Sequence, residues 1–224
     1  MKNIAVLQFP GTNCDLDTQY AFEKLGCKTT IVWHKASKLP DNTDLVVVPG
    51  GFSYGDYLRS GAIAKFSPIM KEVIEYANQG GKVLGICNGF QILTEVGLLP
   101  GALKRNIGLH FISRFQTLKV VNNNNVFLQK YNKDEVINIP IAHADGNYYI
   151  DEKGYQELEA NDQILVRYSD EKGDPVVVNG SVTSIAGICN QSKNVFGLMP
   201  HPERALERIL GSDDGIKMLE GLIA

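Results

Sequence analysis

Over the first hundred residues the apolar positions fall in short unbroken runs rather than in alternation. Ile4–Phe9 (IAVLQF), Thr29–Trp33 (TTIVW), Leu45–Gly51 (LVVVPGG) and Lys82–Ile86 (KVLGI) are continuous and rich in β-branched residues, the pattern of strands buried on both faces. Between them lie two stretches of helical character, Cys14–Gly26 and Ser67–Gly81. In the second, Ile69, Val73, Ile74 and Ala77 share one face, Pro68 marks the start, and Gly80-Gly81 mark the end. Strand and helix in turn predict an α/β fold with an open, mostly parallel sheet flanked by helices.

The pattern changes after Gly101. From Arg114 to Asn190 the strand signals shorten, and turn residues such as Asn122–Asn125, Asp145-Gly146 and Glu171–Pro175 separate them. These strands are expected as an antiparallel extension of the sheet edge. SIAGICN and VFGLMP, joined by QSK, have the form of a hairpin, and Ser212–Ile223 supplies a last helix. No linker, repeat or biased segment divides the chain, so one domain over residues 1–224 is expected.

Composition narrows the function classes. Hydrophobic residues make up 44% and charged residues 21%, as in an ordinary globular protein. A net charge of -3 argues against a nucleic-acid footprint. No apolar run is long enough for a membrane span, and the N-terminus reads as a first strand rather than a signal peptide. The four cysteines, Cys14, Cys27, Cys87 and Cys189, lie far apart, which favours free thiols in a reducing cytoplasm over a disulfide framework. There is no Walker loop or GxGxxG for a nucleotide, and no His/Cys spacing for a metal.

The chemistry centres on Gly85-Ile86-Cys87-Asn88-Gly89, a Gly-Xaa-nucleophile-Xaa-Gly elbow where a strand gives way to a helix. Such an elbow presents its side chain above the carboxyl ends of the parallel strands. A helix N-terminus contributes about 0.3–1 kcal/mol toward an anion. Making a free thiol mostly thiolate at neutral pH takes about 2.7 kcal/mol, so a base must stand beside the sulfur. His201, followed two residues on by Glu203, is the candidate, with Pro200 and Pro202 expected to hold the segment extended. That gives a Cys87-His201-Glu203 triad of nucleophile, base and orienting acid. The backbone N–H of Asn88 and that of Gly51, in the loop Pro49–Asp56, are the candidate oxyanion donors. Cys14, Cys27 and Cys189 have no base nearby in sequence and read as core residues.

FPGTNCD at residues 9–15, PGGFSYGDYLRSGAIA at residues 49–64, GICNGFQIL at residues 85–93 and MPHPER at residues 199–204 occur together and in this order. The chain thereby resembles the class I (triad) glutamine amidotransferases over nearly its whole length. Its wording is most similar to that of the glutaminase subunits of phosphoribosylformylglycinamidine synthase. The resemblance implies a flavodoxin-like sheet and a glutamine pocket lined by Gly50, Phe52, Gly55, Asp56 and Gln91. Glutamine would be hydrolysed through a Cys87 thioester, and the ammonia passed to a large synthetase subunit, with a small third subunit in the complex. ATP and Mg would be held by the synthetase and no cofactor by this chain. IAHADGNYY (Ile141–Tyr149) stands where a His-Gly-Glu-Gly-like stretch is expected, which leaves the roles of Asn106, Arg114 and His143 open. The alternative is another cysteine hydrolase of the DJ-1-like superfamily, whose members usually carry His where this chain has Asn88.

Overall fold

The computed structural model describes residues 1–224. Five parallel strands form one half of a nine-stranded sheet: β1 (Asn3–Gln8), β2 (Lys28–Trp33), β3 (Leu45–Val48), β4 (Lys82–Ile86) and a late strand, Val195–Leu198. The middle of the chain adds β5 (Ala102–Lys104), β6 (Ile112–Val120), β7 (Val136–His143), β8 (Asn147–Tyr149), β9 (Ile164–Tyr168) and β10 (Ile185–Cys189), which makes Val195–Leu198 β11. The sheet order is β2-β1-β3-β4-β11-β10-β9-β6-β7, and β5 pairs with β8 in a small separate ribbon. Neighbours from β2 to β11 run parallel, and from β11 to β7 every pair is antiparallel. The expected parallel sheet with an antiparallel extension is present. β11 belongs to both halves, pairing parallel with β4 and antiparallel with β10 across the hairpin.

The unbroken apolar runs become the buried middle of the sheet. All four residues of β3 and the last four of β4 are buried, as helices on both faces require. Helices α1 (Asp15–Lys24), α2 (Pro68–Asn78), α3 (Asn88–Glu95), α4 (Glu152–Ala160) and α5 (Ile216–Ile223) complete the fold. On α2 the buried face is Ile69, Met70, Val73 and Ala77. Ile74, expected on that face, is only half-buried, and Met70 takes the place beside Ile69. None of these helices is long and apolar enough to cross a membrane.

Three details place the site. First, β1 has β2 on one side and β3 on the other, so the chain reverses its winding there, and crevices in such sheets open at the carboxyl ends of the strands. Second, the extension curls back: the His201 N–H, just after β11, donates to Pro140 O of the outermost strand β7 at 2.8 Å. Third, α3 starts against the sheet with no room to spare. A Cβ on Gly89 would stand 1.8 Å from Val48 O, and one on Gly85 would stand 2.8 Å from Gly89 C. Both glycines of the elbow are therefore sites of close backbone approach.

Gly89→Ala is expected to lower the free energy of unfolding by about 3 kcal/mol, the upper range for overpacking, because the obstacle is backbone and not a side chain that can turn. A urea titration measures this. An unchanged midpoint would contradict the close approach of α3 to β3.

Candidate active site

Four loops meet at the carboxyl edge of neighbouring parallel strands. They follow β1 (to Cys14), β3 (from Pro49), β4 (at Cys87) and β11 (to Glu203). Cys87 ends β4 and precedes α3 with φ 51° and ψ −105°. A left-handed backbone at a residue other than glycine costs about 1–3 kcal/mol. It is fixed by the hydrogen bonds on either side. Cys87 N–H donates to Leu198 O at 2.7 Å, and Gln91 N–H donates to Cys87 O at 3.2 Å.

His201 Nδ1 lies 2.7 Å from Glu203 Oε1, and both residues are buried. The expectation of an extended His-Pro-Glu segment is corrected here. Pro202–Arg204 form a 3-10 turn, closed by Arg204 N–H donating to His201 O at 3.1 Å. The turn brings Glu203 under its own histidine by curling the chain. Burial works against charge on His201. The Glu203 carboxylate and the sulfurs of Cys87 and Cys14 outweigh it, so the imidazolium persists well above the usual histidine range. The other ring nitrogen, Nε2, is buried and makes no hydrogen bond. In the resting chain the Cys87 thiol instead donates to Ala142 O of β7 at 3.6 Å.

Cys87 and His201 line a cleft of about 150 Å³ with Gly51, Phe52, Phe111 and Cys14. Gly50 lies between the reacting groups: a Cβ there would stand 2.8 Å from His201 Cε1, 3.1 Å from Cys14 Sγ and 3.4 Å from Cys87 Cβ. Phe52 and Phe111 form the cleft's aromatic wall, with ring centroids 6.5 Å apart. The backbone N–H groups of Gly51 and Asn88 are not used by the fold's own hydrogen bonds, so both are available to an oxyanion.

Gln91 and Asp56, expected to line the glutamine pocket, belong to a polar network beside the cleft, in which Asn88 Nδ2 lies 3.5 Å from Asp56 Oδ1. Gln91 is buried, its Nε2 donates to Asp145 O at 2.7 Å, and its Oε1 accepts from Asn88 Nδ2 at 2.8 Å. Asn88 Oδ1 accepts from Ser53 N–H at 3.0 Å, which ties α3 to the loop after β3. Tyr54, Gly55, Asp56 and Leu58 of that loop all have positive φ. Burial and the neighbouring Asp145 carboxylate push the Asp56 acid up to about 6.

His143, Asn106 and Arg114 also find their places. Ala142 lines the cleft, so the side chain of His143, next along β7, takes the opposite face of the strand. His143 is buried, and desolvation with the nearby His201 pushes it down to about 4, so it stays neutral. Asn106 holds the His143 loop: its Nδ2 donates to His143 O at 2.9 Å and its Oδ1 accepts from Gly146 N–H at 3.0 Å. Arg114 is exposed and donates to Gln116 Oε1 at 2.9 Å, away from the cleft.

Cys14, read from the sequence as a core residue, is corrected by the structure: it is buried but faces the cleft beside His201. Its signal in the sequence was position, since it ends the loop that leads from β1, the strand where the winding reverses, into α1.

Comparison with known proteins agrees with this geometry. The family model for the CobB/CobQ-like glutamine amidotransferase domain matches residues 1–214. The chain belongs to this glutamine amidotransferase family. The PurQ subunit of phosphoribosylformylglycinamidine synthase from Sulfurimonas denitrificans is 67% identical over 98% of both chains. That of Campylobacter jejuni is 57% identical over 98% of this chain and 95% of its own. A chain of the PurLQS structure from Thermotoga maritima superposes with a TM-score of 0.88 at 43% identity, covering 99% of this chain and 97% of that one. Membership of the amidotransferases sets aside the DJ-1-like alternative.

His201→Ala is expected to reduce glutamine hydrolysis by about 10²- to 10⁴-fold, the usual share of proton transfer. Glu203→Gln should cost less, because the imidazole remains though poorly held. Steady-state assays of the two variants compare them, and equal losses would contradict the order. A second expectation concerns Asp56. Its folded carboxyl keeps a proton up to about pH 6, while the unfolded one releases it in the ordinary carboxylate range. The folded chain therefore binds more protons in that window, and this contribution to stability is lost as pH rises through it. Asp56→Asn should gain stability relative to the unaltered chain across the same window. Urea midpoints for both at the two ends of the window test this, and a constant difference would contradict it.

Proposed function

We propose that this chain is the glutaminase subunit of phosphoribosylformylglycinamidine synthase, acting in de novo purine biosynthesis. The observation that carries the reading is the Cys87 elbow facing the His201-Glu203 pair across Gly50, in a chain 67% identical to a PurQ subunit over its full length.

The residues divide the reaction among themselves. In the reacting site the proton of the Cys87 thiol rests on His201 Nε2; the thiolate sulfur attacks the side-chain carbonyl carbon of glutamine, and the carbonyl oxygen becomes an oxyanion that the Gly51 and Asn88 N–H groups receive. The His201 imidazolium gives its proton to the departing nitrogen, and ammonia leaves a glutamyl thioester on Cys87. His201, now neutral, takes a proton from water as it attacks the thioester. The tetrahedral intermediate breaks its C–S bond, glutamate leaves, and the proton His201 took from water restores the starting Cys87–His201 pair. Glu203 keeps the Nδ1 proton in place throughout, so Nε2 is the nitrogen that works.

The ammonia goes to a large synthetase subunit, which carries ATP and Mg and converts formylglycinamide ribonucleotide to its amidine. A small third subunit completes the assembly. The Thermotoga maritima neighbour's name, PurLQS, supports partner subunits of this kind. Four free thiols are in keeping with a cytoplasmic location.

The resting site is not yet armed. Its thiol points at Ala142 O, and His201 Nε2 is unpaired. A partner that moves the loop after β3 or the end of β7 would release the thiol toward His201. Low glutaminase activity in the isolated chain and a large rise in the complex follow. The deciding experiment uses Cys87→Ala in the reconstituted complex. Amidine synthesis from glutamine should vanish, while synthesis from ammonium chloride and ATP should continue at close to the unaltered rate. Loss of the ammonia-driven reaction in an assembled complex would contradict the reading of this chain as an ammonia source.

A further inference from the structure

Two stretches singled out in the sequence contain residues the reaction above does not use: Cys14 and Asp15 of FPGTNCD, and Arg204 of MPHPER. The fold brings these stretches together. Arg204 Nη2 donates to Cys14 Sγ at 3.2 Å. Arg204 Nε and Nη2 both reach Asp17 Oδ2, at 2.9 and 2.8 Å. Asp17 stands in the first turn of α1, so the turn carrying Glu203 is moored to that helix.

We infer that Cys14, Arg204 and Asp17 form a positioning relay for the His201 imidazole. The inference rests on the glutaminase reading and deepens it. Glu203 holds the ring at Nδ1 alone, and a single hydrogen bond leaves the ring free to tilt about that contact. Nε2 has no partner to stop the tilt. The Gly50 backbone lies against the ring at Cε1, and the Cys14 sulfur and Cys87 Cβ lie close to that same point. Cys14 Sγ, a His201 ring nitrogen and a Glu203 oxygen all lie within 4.8 Å of one another. The sulfur is held in turn by Arg204. Beside Glu203 and Arg204 lies a cavity of about 370 Å³ bordered by Asp17, Phe115 and Leu210, so on that side the turn is held by its mooring to α1, while Pro140 of β7 and Gly215 before α5 hold it elsewhere.

The residue type suits the task. Burial pushes the Cys14 thiol up, so it stays protonated and does not rival Cys87 as a nucleophile. A neutral sulfur is large and polarisable, accepts the Arg204 N–H, and offers its own weak S–H to Asn13 Oδ1 at 3.3 Å. A serine oxygen sits on a shorter bond and would reach neither the ring nor the guanidinium as well.

The test uses the assembled complex with Cys14→Ala, Cys14→Ser, Arg204→Gln and the Cys14→Ala/Arg204→Gln double variant. Glutaminase kcat should fall about 10- to 100-fold in each single variant, the cost of a catalytic group misplaced by about 1 Å, with KM unchanged. The double variant should be no worse than the poorer single one, because one chain of contacts is broken twice. Nitrogen-15 NMR of the isolated chain gives a readout independent of turnover: the His201 ring signals should shift in Cys14→Ala and in Arg204→Gln alike. If Cys14→Ala does not fold, the serine and glutamine variants carry the test. A raised KM with unchanged kcat would overturn the inference and make Cys14 a substrate contact. Multiplied losses in the double variant, or unmoved ring signals, would overturn it too. An unaltered complex that does not hydrolyse glutamine would instead overturn the proposed function, leaving the NMR result to decide the relay.

Discussion

The site depends on one backbone conformation. Cys87 holds φ 51°, a region costly to any side chain, and holds it at the single residue between β4 and α3. The strain is absorbed by close packing around it. Gly89 lets α3 sit on Val48 O, Gly85 lets the strand pass under Gly89, and two backbone hydrogen bonds fix the residue itself. Without that kink the sulfur would follow the pleat of β4 into the core. With it, the sulfur emerges at the carboxyl edge and the first N–H groups of α3 are left free beside it. The rest of the structure supplies partners to a group already in place.

Those partners arrive by topology. Gly50 and His201 come two and three residues beyond β3 and β11, the strands on either side of β4, and Cys14 comes six residues beyond β1, the neighbour of β3. Ala142 arrives by another route, from the far end of the antiparallel extension, because the sheet curls until β7 meets the His201 turn. The buried Glu203 would be costly alone, since a carboxylate out of water needs a partner or a proton. Its pairing with His201 meets that need and raises the proton affinity of the imidazole. One contact thus serves both stability and chemistry.

Much of this was legible in the sequence, and the reasons are physical. Continuous β-branched runs have only one comfortable place, the middle of a covered parallel sheet, so β1, β3 and β4 could be read directly. Glycines bracketing a cysteine between strand and helix mark close approach, which is what Gly85 and Gly89 provide. What the sequence hid was curvature and long-range pairing. Nothing local says that β7 folds back onto the triad, or that Cys14 and Arg204, far apart in the chain, touch. The His201–Glu203 turn was misjudged because prolines at alternate positions suggest extension. Here Pro202 instead opens a 3-10 turn, a place where its fixed φ and missing N–H are equally suited. Gln91 and Asp56 were assigned to the substrate from resemblance, and the structure shows that both also make contacts within the fold, to Asp145 O and to Asn88.

The most direct measurement is of the covalent intermediate. The chain in its complex is mixed rapidly with glutamine, quenched in acid, digested and weighed. A glutamyl group on the peptide that carries Cys87, appearing before steady turnover and disappearing as glutamine is exhausted, is the predicted result. Steady glutamate production with no adduct on that peptide, or with the glutamyl group on the Cys14 peptide instead, would contradict the account.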